Sequence, residues 1–335
     1  MSEAGTVIDR PVVSVVIPTR NRADLVRRAV RSALAQTMSD LEVIVVIDGS
    51  DPATVAALGV ITDPRLRVVT RERSGGASAA RNTGIDLSRG AWIGFLDDDD
   101  EWMPTKLEAQ LREAARSAEP AQLISCRKIA RSPTRDSIWP RRFPDAGEHL
   151  SEYLLRRRSA AQGDGGIHTS SILVSRCVVE RERFDTSLVV HEDWEWLLRA
   201  KASTGMRVAF VEEPLAIWHI DDARPGLSKH RDWRFSLRWA RDRLRAGIMT
   251  GDAYASFVLT RVTTQVSVLR HPLLFLALLA DACRHGTVTR FDLVTYCGAA
   301  CSPRSLRRRA RALLDARRQP QRCGAAMARD AAPTA

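Results

Sequence analysis

Val12-Val13-Ser14-Val15-Val16-Ile17-Pro18-Thr19-Arg20-Asn21 is a β-branched run that breaks off in turn-forming and polar residues, and Glu42-Val43-Ile44-Val45-Val46-Ile47-Asp48-Gly49-Ser50-Asp51 repeats that design. Near-continuous apolar runs of this kind belong to parallel strands buried on both faces. Between them Leu25, Val26, Ala29, Val30, Ala33 and Leu34 recur at three-to-four spacing with arginines on the other side, which predicts an amphipathic helix. The alternation continues with a strand over 66–69, a helix over 76–87 and a strand over 91–96. Strands alternating with helices predict an α/β fold with a mostly parallel, Rossmann-like sheet covered on both faces. Ligands in such sheets bind beyond the carboxyl ends of the strands. Three polar strand ends converge there: Pro18 to Asn21, Asp48 to Asp51, and Asp97-Asp98-Asp99-Asp100.

After about residue 120 the alternation weakens. A loop-rich stretch with Pro133, Pro140 and Pro144 leads into helical pieces and Gly163-Asp164-Gly165-Gly166. From about residue 228 the pattern is one of successive amphipathic helices, at 233–246, 271–284 and 305–318, followed by an end expected to fray over 319–335. With 44% apolar and 27% charged residues among 335, the chain has the composition of an ordinary globular protein. Its net charge of +11 points to an anionic partner, and eight arginines against the single acid Asp315 within 304–322 place much of that charge in the tail. The six cysteines form no CxxC pair, which argues against a zinc module and for a reduced setting. The N-terminus lacks the pattern of an export signal. The longest apolar run, 272–280, is about half of the ~20 residues that span a bilayer. A cytoplasmic protein is therefore expected, one that does not cross a membrane.

Four aspartates directly after an apolar strand repel one another, and folding does not require them there. Hard oxygen ligands at a strand end suit Mg²⁺ or Mn²⁺, above all when a substrate diphosphate completes the octahedron. The competing reading is a solvated acidic turn, or a cap for the helix opening near Pro104. Asp48 sits where a carboxylate can accept hydrogen bonds from a base or ribose; a plain turn with an Asx bond is the alternative. Ser74-Gly75-Gly76-Ala77-Ser78 before a helix lets backbone N–H groups approach a phosphate, or is simply a flexible loop.

Taken together, Val-Ser-Val-Val-Ile-Pro-Thr-Arg-Asn-Arg at 13–22, Glu-Val-Ile-Val-Val-Ile-Asp-Gly-Ser at 42–50, Gly-Ala-Ser-Ala-Ala-Arg-Asn-Thr-Gly-Ile at 76–85 and Gly-Ala-Trp-Ile-Gly-Phe-Leu-Asp-Asp-Asp-Asp at 90–100 resemble the family 2 glycosyltransferases of the GT-A fold. The resemblance is dense over 12–115, with four motifs in order. It implies an inverting enzyme: an acceptor hydroxyl displaces a nucleoside diphosphate from the anomeric carbon in one step, with a UDP-sugar the expected donor and polysaccharide or glycolipid assembly the expected setting. Carried over by position, Pro18, Thr19 and Asp48 would contact base and ribose, Gly76 and Asn82 would lie on the donor side, and Asp98 would reach ribose and diphosphate. Asp97 and Asp99 would form the metal-binding DxD pair, with Asp99 the direct ligand. Arg81 would brace its loop or touch phosphate. Many members carry a second aspartate before Asp48, where this chain has Ile47, so the base contact rests on Asp48 alone.

The attacking hydroxyl must lose a proton, which calls for a carboxylate outside the donor motifs. His191-Glu192-Asp193-Trp194-Glu195-Trp196 resembles the family's Glu-Asp segment opening a helix, and puts Asp193 at the position of the base; a helix cap is the plain alternative. Glu192 would orient Asp193 or the acceptor. Trp194 or Trp196 would stack on a sugar ring or sit in the core. His219, in Ala-Ile-Trp-His-Ile-Asp-Asp, would complete the metal shell or pack. The domains expected are a glycosyltransferase unit over 1–227, with a nucleotide-sugar half at 12–115 and an acceptor half at 116–227, then a helical region over 228–318 and the tail. The leucines of 273–279 with the arginines beyond would give a surface for an anionic membrane bearing a lipid-linked or glycan acceptor. A sugar nucleotidylyltransferase or a dehydrogenase should show a Gly-rich loop after the first strand, where Pro18-Thr19-Arg20-Asn21 stands. A basic nucleic-acid-binding protein is the non-enzyme alternative, and the acidic cluster at the ligand edge opposes it.

Overall fold

The computed structural model describes residues 10–159, 163–220 and 232–301. Its elements in chain order are β1 (Val13–Thr19), α1 (Ala23–Leu34), β2 (Leu41–Ile47), α2 (Pro52–Gly59), β3 (Leu66–Thr70), α3 (Gly76–Leu87), β4 (Trp92–Phe95), β5 (Glu101–Trp102), α4 (Lys106–Ala114), β6 (Gln122–Arg131), β7 (Asp136–Trp139), α5 (Leu150–Leu155), β8 (Leu173–Ser175), α6 (Arg176–Arg181), α7 (Glu192–Thr204), β9 (Arg207–His219), α8 (Trp233–Arg245), α9 (Gly251–Phe257), α10 (Pro272–His285) and α11 (Arg290–Cys301). The predicted helix at 305–318, the arginine run and the tail at 319–335 lie outside the described residues.

All seven residues of β1 and all seven of β2 are buried, as expected for strands covered on both faces. Glu42, the one charge within β2, is satisfied in place: it accepts from Ser14 Oγ at 2.7 Å and from the Arg89 N–H at 2.7 Å. Helix α3 crosses β1 closely because Gly84 has no side chain; a Cβ there would stand 2.3 Å from Val16 Cγ1. The four strands β3, β2, β1 and β4 are mutually parallel. The sheet continues in the order β3-β2-β1-β4-β8-β6-β9-β5, with β7 on β6.

That continuation corrects the loop-rich reading of the chain after residue 120. β6 and β9 pair in parallel along ten positions, with the register shifting between Cys126 and Lys128, while β8 runs antiparallel to both β4 and β6. Arg127, Lys128 and Arg131 break the apolar alternation of β6, which hid it. The first two lie over rings instead, Arg127 over Phe143 at 4.8 Å and Lys128 over Trp218 at 4.7 Å. The C-terminal helices share a core with the sheet. One continuous apolar cluster joins Val16, Ile93 and Phe95 to Trp196, Tyr254, Phe257, Phe275 and Ala299.

Candidate active site

In the strand order 3-2-1-4 the chain reverses direction between β1 and β4, which opens a crevice beyond their carboxyl ends. A knot of hydrogen bonds closes its floor. Thr19 Oγ1 at the end of β1 donates to Asp98 Oδ2 beyond β4 at 2.8 Å, and Arg22 Nη1 reaches Asp98 Oδ1 at 2.9 Å and Asp99 Oδ2 at 3.1 Å. Burial pushes the Asp98 carboxyl up to about 6, against the opposing pull of Arg22 and the Thr19 hydroxyl. Pro18 is buried within β1 opposite Val46 and shapes the strand end rather than offering an exposed face.

Asp48 follows β2 and holds the glycine loop. Its carboxylate accepts from Ser74 Oγ at 2.7 Å, from the Gly75 N–H at 3.0 Å and from the Gly76 N–H at 2.8 Å, and pairs with Arg71. Burial alone would raise this carboxyl; the Gly75, Ser74, Gly76 and Arg71 donors together hold it below the ordinary aspartate value. Gly76 takes a positive φ of 85°, which favours glycine at this point of the loop. Asp51, whose neighbourhood also reads as a turn, caps α2 through the Thr54 N–H at 3.1 Å and receives the Asn21 N–H at 2.7 Å.

The aspartates beyond β4 face different partners. Asp97 Oδ1 accepts from Arg81 Nη2 at 2.7 Å. Asp100 is almost fully buried, accepts from Ser170 Oγ at 2.5 Å, and lies 3.5 Å from His168 Nδ1. Burial first, and then the charges of Asp97 and Asp99, raise the Asp100 carboxyl well above its ordinary value. Single ligand atoms of Asp97, Asp100 and His168 all fall within 4.8 Å of one another. His168 Nδ1 is buried with no hydrogen-bond partner among the described residues. Two carboxylate oxygens and an orphaned imidazole nitrogen fit a divalent cation such as Mn²⁺ or Mg²⁺. Asp99 stands apart from that cluster against Arg22. His219 donates Nε2–H to Glu101 Oε1 at 2.6 Å and its backbone N–H to Asp100 Oδ1 at 3.3 Å.

Arg81 is buried on α3 and connects two parts of the site. Beside Asp97, its Nη1 lies 3.9 Å from Glu192 at the start of α7. Asp193 is the next residue; its Oδ1 accepts the Trp194 N–H at 2.8 Å, and burial raises its carboxyl while Trp194 and Arg81 oppose that shift. Burial, aided by the Asp193 charge, pushes Glu192 up to about 7. Asn82, by contrast, spends its amide on the backbone of Phe184, at 2.9 and 3.0 Å, and so ties α3 to the segment before α7.

Helix α7 begins at His191, whose φ of 67° is left-handed. The His191 ring lies among Trp194, Trp239 and Phe257, with Nε2 3.0 Å from Ser236 Oγ. One turn on, buried Glu195 receives Trp239 Nε1 at 2.6 Å and pairs with Arg199 and Arg243. Trp196 requires a correction: it has no exposed surface, stacks on Phe184 at 4.9 Å and donates Nε1 to the Glu182 carbonyl, so it takes no sugar ring. Trp218 and Trp139, with ring centres 5.5 Å apart, are the partly exposed tryptophans near the cluster, His168 lying 5.3 Å from Trp218. Sequence reasoning also passed over His168, Ser170 and Lys128. Burial lowers Lys128 to about 8 even though Asp100, Asp193 and Asp97 all favour its charge. The one sequence signal near these residues is the polar run His168-Thr169-Ser170-Ser171 directly before β8.

Residues 14–182 match the family model described as Glycosyl transferase family 2. The chain belongs to glycosyltransferase family 2. Among family relatives, "Succinoglycan biosynthesis protein ExoO" of Rhizobium meliloti is 43% identical over 104 residues, which span 31% of this chain and only 30% of that protein. "Amylovoran biosynthesis glycosyltransferase AmsB" of Erwinia amylovora is 27% identical over 249 residues, 72% of this chain and 80% of that one. The crystal structure of S. aureus TarS 1-349 in complex with UDP-GlcNAc superposes with a TM-score of 0.55 at 16% identity, covering 82% and 81% of the two chains. Such a likeness establishes the fold, and with family membership it makes this a GT-A glycosyltransferase fold.

Proposed function

We propose that the chain is an inverting glycosyltransferase that moves a sugar from a UDP-sugar to an acceptor hydroxyl in polysaccharide or glycolipid assembly, with 12–115 serving the donor and 116–227 the acceptor. The observation that carries this reading is the Arg81 bridge, which sets the base-bearing start of α7 beside Asp97 of the aspartate run. The donor nucleotide would lie in the crevice over Thr19, Asp98 and the Asp48-anchored loop. A divalent cation held by Asp97, Asp100 and His168 would offset negative charge on the departing diphosphate. Asp193, made more basic by burial, takes the proton from the attacking hydroxyl, and the Arg81 guanidinium favours the charged form of Asp97 against its burial. The exposed parts of Trp139 and Trp218 would meet an acceptor sugar, Trp218 carrying the Lys128 ammonium 4.7 Å over its ring and Trp139 packed on Gly163. The relatives named for succinoglycan and amylovoran biosynthesis support a polysaccharide setting. Peripheral association with an anionic membrane, where a lipid-linked acceptor would lie, belongs to the same reading.

The test is calorimetric titration of UDP, GDP and dTDP with and without Mn²⁺ into the wild type and Asp193→Asn, beside transfer assays from UDP-sugars. Metal-dependent binding of UDP to both proteins is expected, with transfer by the variant lower by on the order of 10³. Equal transfer by Asp193→Asn, or binding of random oligonucleotide in place of nucleotide, would sink the proposal.

A further inference from the structure

Among the described residues no helix is long and apolar enough to cross a membrane. Helix α10 nevertheless exposes what such a helix usually buries. Its inner face carries Phe275, Leu278 and Ala282. On the outer side Leu273 is 80% and Leu276 61% exposed, and Leu269 just before the helix is 92% exposed. The spacing of Leu273 and Leu276 puts both on one side of the helix, and Ala277, Ala280 and Cys283 continue the exposed apolar surface. Helix α11 packs on α10 through Phe275 and Tyr296, with the Tyr296 hydroxyl donating to the Phe275 carbonyl at 3.0 Å, and leaves Val294 64% exposed. A solvent-facing helix surface is ordinarily polar, and contiguous apolar exposure marks a binding face.

The charge around this face has one sign. Arg270 precedes the leucines, Arg284 stands near the end of α10, and Arg290 opens α11, all of them exposed. The acid of α10, Asp281, is engaged by Arg241 and Tyr254, and that of α11, Asp292, is buried against Ser256. In sequence the arginine run of 304–322 follows directly. A second copy docked face to face would set these cations against their own kind. Phosphate headgroups over an acyl layer match both features at once, apolar side chains inward and cations at the phosphates.

We propose that the leucine face of α10, with α11, is where the protein lies on an anionic bilayer. The inference deepens the functional reading and rests on it only for the acceptor being lipid-linked. It is tested by flotation of the full chain with phosphatidylcholine vesicles, with and without phosphatidylglycerol, against the double variant Leu273→Glu, Leu276→Glu. Both side chains are exposed, so the variant should keep its unfolding temperature and its UDP binding. The wild type should float with phosphatidylglycerol vesicles in a salt-sensitive way, and the variant should bind roughly a hundredfold more weakly, as expected for two leucines withheld from the apolar layer. Failure of the wild type to float, equal flotation of the variant, or a wild-type dimer that the variant splits would each overturn the proposal. A loss of this kind with UDP binding intact removes the membrane face while leaving the donor site standing.

Discussion

At the donor edge the carboxylates are held by residues of the same N-terminal third of the chain: Asp48 by the loop 71–76, Asp51 by Asn21 and Thr54, Asp98 by Thr19 and Arg22. Asp193 stands on different foundations. Its helix is fixed at the start by His191 against Ser236 and Trp239, and one turn later by Glu195 against Trp239 and Arg243, all supplied by α8. The carboxylates of the crevice and Asp193 therefore depend on separate sets of contacts, which meet at Arg81. The difference teaches that the C-terminal helices hold the start of α7, which the proposed function makes the seat of the base, while the donor edge is held without them.

Substitutions can break that comparison. Glu195→Ala should have the largest effect, since it leaves Arg243 and Trp239 without their buried acceptor; about 3 kcal/mol of stability should go, read by urea unfolding. Turnover should fall with it, while UDP affinity measured by calorimetry stays unchanged. Loss of UDP affinity in parallel would show that the two regions are one unit. Lys106, fully buried beneath the sheet with Nζ on Gln110 Oε1 at 2.7 Å, gives a smaller and pH-dependent effect. Burial lowers its ammonium from 10.5 to about 8, so the unfolded chain holds more protons between those values and stability rises with pH across that window. Below about pH 8 the charged form penalises folding fully. Lys106→Met should therefore be more stable than the wild type by about 2 kcal/mol at pH 7, an advantage that shrinks toward pH 10 in thermal melts. A constant difference across the range would reject the buried ammonium. Asp48→Asn sharpens the comparison from the donor side. It frees the loop at Gly75 and Gly76 and should weaken UDP binding about tenfold, roughly 1.4 kcal/mol, with the unfolding temperature of the α7 region unmoved in hydrogen exchange.

Legibility divides along the same line. β1 to β4, α1 and α3 show in the sequence because each obeys one period and ends in turn formers, and Asp97 to Asp100 are conspicuous because nothing apolar explains them. β6 and β9 do not show, since Arg127, Lys128 and Arg131 interrupt the alternation and their pairing joins residues 85 to 88 positions apart. Lys128 enters the site through that pairing and His168 through the turn before β8, which pairs with β4 and β6, so no local pattern announces them. Asp193 is singled out only through the resemblance to a family segment, and of the two readings open for Trp196 the structure takes the core one, against Phe184 and Phe95, because a tryptophan at helical spacing looks the same in sequence either way.

The aromatic seat of His191 has a consequence in time. A chain emerging from the ribosome presents its N-terminal sheet first and folds it as it comes. Ser236, Trp239 and Phe257, which hold the left-handed start of α7, are made only later. The contacts around Asp48, Asp51 and Asp98 can thus form early, while the start of α7 that carries Asp193 settles only after α8 and α9 have been made.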